Sequence, residues 1–515
     1  MLARVLSSAL IGVDAFPIEV EVDISRGLPS FSTVGLPDNA IKESKDRVRS
    51  AIKNSGYDFP AKRITVNLAP ADIKKEGTSF DLPVAVGILV CEGVVKKEGL
   101  KDCLISGELS LDGSIRPIKG AISIAEMAKG FSKKAIVPKE NSTEAALVTG
   151  LAVIGVGSLG ELVEFLNNRI EIAPTNTDAF SYFGATVAHD LDLADVKGQG
   201  HVKRALEVAA AGGHNVLMVG PPGSGKTMLA RRLSTILPQM SIDEAIETTK
   251  VHSVAGLLDG KGALVTKRPF RNPHHTISDA GLIGGGQVPR PGEVSLAHNG
   301  VLFLDELPEF RKNVLEALRQ PVEDGVVTIS RAALSITYPA RFMLVSAMNP
   351  CPCGHFGDEQ KECACTTREI RRYRRRLSGP LLDRIDIHCD VPAVRFRELG
   401  SKASGEGSAE VKGRVDGARR IQAERFKGYP TQKDKKVFSN ADMRSRHIKK
   451  YAEPDDEGRR ILEMSLERFH LSARAYTRIL KVARTIADLE GSVDIKAHHI
   501  SEAIQYRTLD RENLL

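Results

Sequence analysis

Apolar positions along the chain come in two rhythms, and the domains divide where one gives way to the other. Over residues 1–170, short strand-like runs such as 18–22 and 64–67 are interleaved with helical stretches such as 38–55, which predicts a compact α+β domain. Residues 173–188 are small, polar and aperiodic, so 171–190 reads as a linker. Strand-like and helix-like segments then alternate over 191–395, the pattern of a parallel sheet flanked by helices. A Gly- and Ser-rich stretch at 401–408 places a second linker over 396–410. Beyond it, 409–426 and 457–507 keep helical periodicity with few strand signals, predicting a helical domain over 411–515.

The sharpest chemistry lies where a strand passes into a helix. The apolar run 215–219 ends in Gly220, Pro221, Pro222, Gly223, Ser224, Gly225, Lys226 and Thr227, and a helix-like stretch follows at 228–237. Strand, glycine-rich loop and helix in that order make a phosphate-binding loop, so these eight residues are expected to bind ATP. The glycines let backbone amides turn toward phosphate oxygens, Lys226 neutralises the terminal phosphates, and Thr227 holds Mg2+. A second apolar run, 301–304, delivers Asp305 and Glu306 at its C-terminal end. Asp305 is assigned to the magnesium shell, and Glu306 to orienting or deprotonating the attacking water.

Composition sets the surroundings of that site. A chain of 515 residues exceeds a single core and fits about three domains. No run reaches the ~18 to 20 uninterrupted apolar residues of a membrane span, and residues 1–12 lack the layout of a secretion signal. A cytoplasmic protein with no membrane partner is expected. The net charge of +7 permits nucleic-acid contact without requiring it. Seven cysteines is an odd number, and four of them, Cys351, Cys353, Cys363 and Cys365, crowd into 351–365. Two C-x-C pairs can supply a tetrahedral thiolate set for structural Zn2+, closed to water and without a catalytic role. His355 in place of one thiol, or four free thiols, are the competing readings.

Further motifs carry a resemblance. Phe31-Ser32-Thr33-Val34-Gly35-Leu36-Pro37, Phe80-Asp81-Leu82-Pro83, Arg271-Asn272-Pro273-His274-His275 and Asn349-Pro350-Cys351-Pro352-Cys353-Gly354, with the opening segment 1–14, accompany the phosphate loop and acid pair. With these, the chain resembles, nearly end to end, the AAA+ ATPases of the magnesium-chelatase-like group, specifically the ComM/YifB family. The resemblance implies an AAA+ core with a C-terminal helical lid, a Lon-protease-like N-terminal domain, and a homo-oligomeric ring, a hexamer, with ATP at each subunit junction. Leu381-Leu382-Asp383-Arg384-Ile385-Asp386 resembles the motif that carries the arginine finger in related rings, which makes Arg384 the candidate finger. An intrachain pair with Asp383 or Asp386 is the alternative. Asn349 matches the sensor 1 position that polarises the hydrolytic water, and Arg474 the sensor 2 arginine that reports the γ-phosphate to the lid.

DNA enters by the same route. Residues 326–330 and 334–337 read as a hairpin with Arg331 near its turn, and similar hairpins in related rings touch DNA in the pore. Arg331 is therefore the candidate DNA contact, against a plain edge hairpin. Residues 281–291, with three consecutive glycines at 284–286, make a candidate second pore loop, and the basic run 371–376 reads equally as a DNA-facing or a solvated or subunit-facing helix. In the first domain, 107–113 and 136–138 resemble the Lon proteolytic domain, and Ser79 lies where its nucleophile-bearing loop belongs. A Ser-Lys dyad needs a lysine, yet Ile122 holds that position and Lys119 falls out of step, so a role in assembly or DNA docking is expected instead. The leading function is an ATP-driven DNA motor, a helicase that moves branched junctions in recombination or natural transformation. The alternatives are a magnesium-chelatase-type ATPase subunit and a Lon-like ATP-dependent protease.

Overall fold

The computed structural model describes residues 1–75, 77–183, 191–258, 263–286, 289–331, 334–358, 361–393, 405–427, 437–469 and 471–507. Residues 184–190 of the first expected linker and 396–404 of the second lie outside these. The chain forms two compact units, Met1–Thr186 with Ser241–Thr266, and Val187–Met240 with Lys267–Leu515.

In the first unit a seven-stranded mixed sheet runs in the order Ser30–Val34, Arg63–Ala69, Asp14–Ser25, Leu2–Ile11, Cys103–Ile105, Lys134–Pro138, Ala152–Val156. Alternation along Asp14–Ser25 buries Ile18, Val20, Val22 and Ile24 on one face. The helix Asp81–Cys91, buried along its whole length, packs there. Gly87 allows the approach, because a Cβ on it would stand 2.5 Å from Val22 Cγ2. The stretch Ser241–Thr266, expected inside the 191–395 region, belongs to this unit. Its helix Ile242–Ala255 is fastened by Ser253, whose hydroxyl accepts the Gly120 N–H at 2.8 Å and donates to buried Glu144 at 2.5 Å.

The second unit is built on a five-stranded parallel sheet in the order Phe270–Arg271, Val301–Leu304, Met343–Met348, Val216–Val219, Ile387–Asp390. Every residue of Val216–Val219, Val301–Leu304 and Met343–Met348 is buried, as expected when helices cover both faces. One apolar core joins this sheet to the C-terminal helices, with Val415, Ile479, Ala483 and Ile500 packed alongside Val208 and Leu206 of the helix Gly200–Gly212. The expected α/β class, with a sheet flanked by helices and a helical C-terminal region, is the one observed.

Candidate active site

At the C-terminal end of Val216–Val219 the chain turns through the glycine-rich loop into the helix Lys226–Ile236. Gly220 has no room for a side chain, since a Cβ would lie 2.1 Å from the Val391 carbonyl oxygen, and Gly223 and Gly225 take φ of 75° and 88°. Lys226 is buried, and its Nζ donates to the carbonyls of Gly220 at 2.7 Å and Pro221 at 2.8 Å and to Asn349 Oδ1 at 3.3 Å. Burial lowers its pKa, while the charges of Asp305 and Glu306 oppose that shift. Thr227 Oγ1 donates to Asp305 Oδ2 at 2.6 Å, so the two groups assigned to magnesium already converge. Glu306, whose N–H donates to Asp305 Oδ1 at 3.0 Å, sits at φ 53°, a left-handed conformation rare for a side chain of its size. Lys226, Thr227, Asp305, Glu306 and Asn349 thus gather from three neighbouring strands at one end of the sheet.

Three residues of this end carried no role in the sequence. Gln199 donates from Nε2 to the carbonyls of Ser224 at 2.9 Å and Pro392 at 2.8 Å, tying the phosphate loop to the last strand. His275 brings Nδ1 to 3.5 Å from Glu306 Oε2. Tyr373, buried on the helix Thr367–Arg374, brings its phenol oxygen to the Asn349 backbone.

Arg384 and Arg474 stand elsewhere. Asp386 and Ile387 donate their N–H groups to the Asn215 carbonyl, at the N-terminal edge of the Val216–Val219 strand. Arg384 precedes that edge; it donates from Nη1 to the Pro380 carbonyl at 2.7 Å and pairs through Nη2 with Glu323. Arg474 lies 3.5 Å from Asp383, 62% exposed. Both line a cleft of about 540 Å³ together with Asn215, Asp386, Arg478 and Lys481. Burial alone would raise the Asp386 carboxyl, but Arg478 and His214 beside it hold it well below the usual carboxylate range. Four strand residues at about 3.3 Å each put on the order of 13 Å between this cleft and the phosphate loop. Arg474, expected to report the γ-phosphate to the lid, is therefore grouped with Arg384 and not with Lys226. The pairs offered as alternatives for Arg384 are taken up otherwise, Asp386 by Arg478 and Asp383 by Arg474.

The four clustered cysteines do converge. All their sulfurs lie within 4.8 Å of one another, with Cys351 to Cys353 at 3.4 Å, Cys351 to Cys363 at 3.7 Å and Cys353 to Cys363 at 3.6 Å. A tetrahedral zinc site with bonds of about 2.3 Å has sulfur separations of about 3.8 Å, so the donor set fits. The Phe356 N–H reaches Cys351 Sγ at 3.3 Å and the Cys353 N–H reaches Cys365 Sγ at 3.4 Å, while the His355 amide draws the Cys353 thiol down to about 6. His355 itself turns to Asp358 at 3.1 Å. Gly354, at φ 86°, lies flat on the phosphate loop, because a Cβ there would meet Pro222 Cδ at 2.5 Å. A second cluster, Glu490, His498 and His499, has the wrong protons for a metal. His499 Nδ1 accepts the Lys496 N–H at 2.9 Å, which leaves the proton of the neutral ring on Nε2, facing Glu490.

The hairpin expected at 326–337 is Val326–Arg331 paired with Leu334–Pro339, Thr328 facing Thr337. The Arg331 side chain lies outside the described residues. Tyr338 donates its hydroxyl to the Pro289 carbonyl at 2.7 Å, fastening to this hairpin the small ribbon of Gly284–Gly285 and Arg290–Pro291; 287 and 288, in the expected second pore loop, lie outside the described residues. On Thr367–Arg374 the buried face is Ile370 and Tyr373; Arg371 and Arg372 are exposed, as is Arg375 just after it, and Arg376 pairs with Glu309 at 2.8 Å. In the first unit Ile122 is fully buried, and Lys75, also buried, donates its amine to the Pro70 carbonyl.

Comparison with known proteins covers most of the chain. The family model described as "Magnesium chelatase, subunit ChlI" matches residues 192–399, "Subunit ChlI of Mg-chelatase" matches 20–141, and "Magnesium chelatase, subunit ChlI C-terminal" matches 405–507. An uncharacterized protein YifB of Salmonella typhimurium is 46% identical over 99% of this chain and 98% of its own length. Competence protein ComM of Haemophilus influenzae is 45% identical over the same shares. The magnesium-chelatase 38 kDa subunit of Rhodobacter capsulatus is 27% identical over 32% of this chain and 52% of its own.

Proposed function

The chain belongs to the ComM/YifB family of magnesium-chelatase-like AAA+ ATPases, and we propose that it works as a ring of identical subunits, a hexamer, that hydrolyses ATP to move DNA, with branched junctions in recombination or natural transformation as its substrate. The observation that carries the ring is the distance between the two halves of the chemistry. Lys226, Thr227, Asp305, Glu306 and Asn349 meet at one end of the sheet, and Arg384 and Arg474 meet at the other. A neighbouring copy that presents its cleft would bring Arg384 and Arg474 to the phosphate end and complete the site.

In that arrangement Lys226 and the loop amides hold the triphosphate, and Asn349, already bonded to Lys226, orients the water. Magnesium held by Thr227 and Asp305 would draw off charge as the terminal bond breaks. Glu306 takes the water's proton, and the neighbouring copy's Arg384 and Arg474 stabilise the equatorial phosphoryl oxygens. Zinc, held by Cys351, Cys353, Cys363 and Cys365, would brace the loop under Pro222.

Support for DNA as the track comes from the hairpin at Val326–Pro339, the ribbon fastened to it, and the name of the Haemophilus relative, a competence protein. A cytoplasmic location follows from that substrate; among the described residues no helix is long and apolar enough to cross a membrane. The test is ATPase turnover with no DNA, with single-stranded, duplex and four-way DNA. Stimulation by DNA, greatest with four-way junctions, is expected; indifference to all of them overturns the motor. The second reading, a chelatase-type subunit, has the three family matches in its favour, and stimulation by a porphyrin-binding partner in place of DNA would select it. A peptidase lacks its base, since Ile122 is buried where the lysine belongs.

A further inference from the structure

The backbone of Arg384 is pinned to the edge of the parallel sheet. Its N–H donates to the Leu381 carbonyl at 2.9 Å, and its own carbonyl accepts from Asn215 Nδ2 at 3.0 Å and Arg478 Nη1 at 3.3 Å. What remains free is a long side chain whose rotamers scatter the guanidinium unless something fixes its head. Two acceptors do so. Nη1 donates to the Pro380 carbonyl at 2.7 Å and Nη2 to the Glu323 carboxylate, while Nε is buried and makes no hydrogen bond among the described residues. Each Nη carries two hydrogens, so one on each is left over for an anion that enters the cleft.

Glu323 and Arg384 are unequal partners. The arginine side chain is 15% exposed and the glutamate 59%, so the guanidinium lies along the cleft wall and the carboxylate stands on its solvent side. An exposed carboxylate adds little to stability through such a pair, and the use of this one is geometric. Arg474 makes the contrast, because it meets Asp383 only at 3.5 Å and no hydrogen bond joins them among the described residues. Glu323 reaches its place from the last turn of the helix Arg319–Asp324. Gly325, at φ 66°, then turns the chain into the Val326–Arg331 strand, and its carbonyl accepts the Ala340 N–H at 2.9 Å across the base of the hairpin. The head of Arg384 is thereby anchored beside the root of the hairpin.

We propose that Glu323 is a positioning residue for Arg384. By fixing Nη2 it aims the unused Nη hydrogens out of the cleft, where the phosphoryl oxygens of a neighbouring copy's ATP arrive on assembly. The proposal rests on the reading of Arg384 as the arginine given to the neighbour's site. It adds a carboxylate that touches neither nucleotide nor magnesium yet governs turnover in the adjoining copy.

The experiment places Glu323→Ala on one side of the shared junction at a time. The full chain carrying Lys226→Ala, which keeps the arginine, is mixed with the full chain carrying Arg384→Ala, which keeps the phosphate site, and steady-state ATPase is followed alongside binding of a fluorescent ATP analogue. Added to the Lys226→Ala subunit, Glu323→Ala is expected to lower kcat of the mixture roughly 10- to 100-fold at unchanged KM, because a misaimed guanidinium loses transition-state stabilisation and not binding. Added to the Arg384→Ala subunit, whose arginine is already gone, it is expected to change kcat by less than about 2-fold. Glu323→Gln on the Lys226→Ala subunit keeps an oxygen acceptor on the same stem and is expected to recover most of the rate. Equal losses in both placements, the mark of a damaged fold or a structural role, overturn the proposal. So does the absence of a loss in either, a change confined to KM, or a Glu323→Gln mixture as slow as Glu323→Ala. If the parent mixture is inactive beside an active wild type, the shared site goes and the proposal with it; an active parent mixture that treats both placements alike removes only the proposal.

Discussion

Arg384 and Lys226 stand at opposite ends of one parallel sheet, Arg384 beside the Asn215 end of the Val216–Val219 strand and Lys226 just past its other end. No rotamer change closes a gap on the order of 13 Å. Arg474, from the C-terminal helices, lies at the Arg384 end as well, 3.5 Å from Asp383.

Glu306→Gln should bind ATP normally and turn it over at least about 100-fold more slowly, since the amide cannot accept the water's proton. Nucleotide binding and single-turnover hydrolysis, measured on one preparation, separate the two effects. Normal turnover in this variant would reject Glu306 as the base.

Removing the partner of a buried charge is costly, and Asp386 is such a charge. Arg478→Ala leaves it with the Asn215 N–H at 3.1 Å, His214 and more distant cations, so a loss of about 3–5 kcal/mol is expected, seen as a lower midpoint for the cooperative unfolding of the second unit. The pH dependence gives the sign. With Arg478 present the folded carboxyl is held below its unfolded value, so its stabilisation is complete at neutral pH and is lost only as pH falls through the acid range. Without Arg478, burial raises the carboxyl, protonation relieves the penalty, and the gap between variant and wild type should narrow from pH 7 toward pH 4. A gap that widens over that interval contradicts the assignment.

Zinc is expected at one ion per chain, measured by elemental analysis, and Cys353→Ser should lose it. Because Gly354 lies on Pro222, the loss should also weaken ATP binding at a distance from the metal. A metal-free Cys353→Ser protein with wild-type affinity for ATP would show that the cysteine loop braces nothing.

What could be read from the sequence follows from how local each feature is. The phosphate loop and acid pair are contiguous, and their strands are apolar throughout, so their positions needed no tertiary information. Arg384 could be found by its motif, but its partner Glu323 lies 61 positions away and no pattern links them. Arg474 matches a phosphate-sensing position by resemblance alone; its location is decided by how Ile479, Ala483 and Ile486 dock their helix, which helical periodicity does not specify. His275 stood in view within Arg271 to His275, yet its chemistry appears only with the distance to Glu306. The helix Ile242–Ala255 has the same apolar pattern whichever unit buries it, so its membership of the first unit was hidden.

The most direct measurement mixes two proteins that are each inactive. Lys226→Ala cannot hold the triphosphate but keeps Arg384, and Arg384→Ala keeps the phosphate site but should lose hydrolysis by about 1,000-fold or more while still binding ATP. Combined in one assembly, the Arg384→Ala subunit's intact loop meets its neighbour's intact arginine, and turnover should return to a substantial fraction of wild type. If the mixture stays as inactive as its components, or if Arg384→Ala alone hydrolyses ATP at the wild-type rate, the site is not shared between copies.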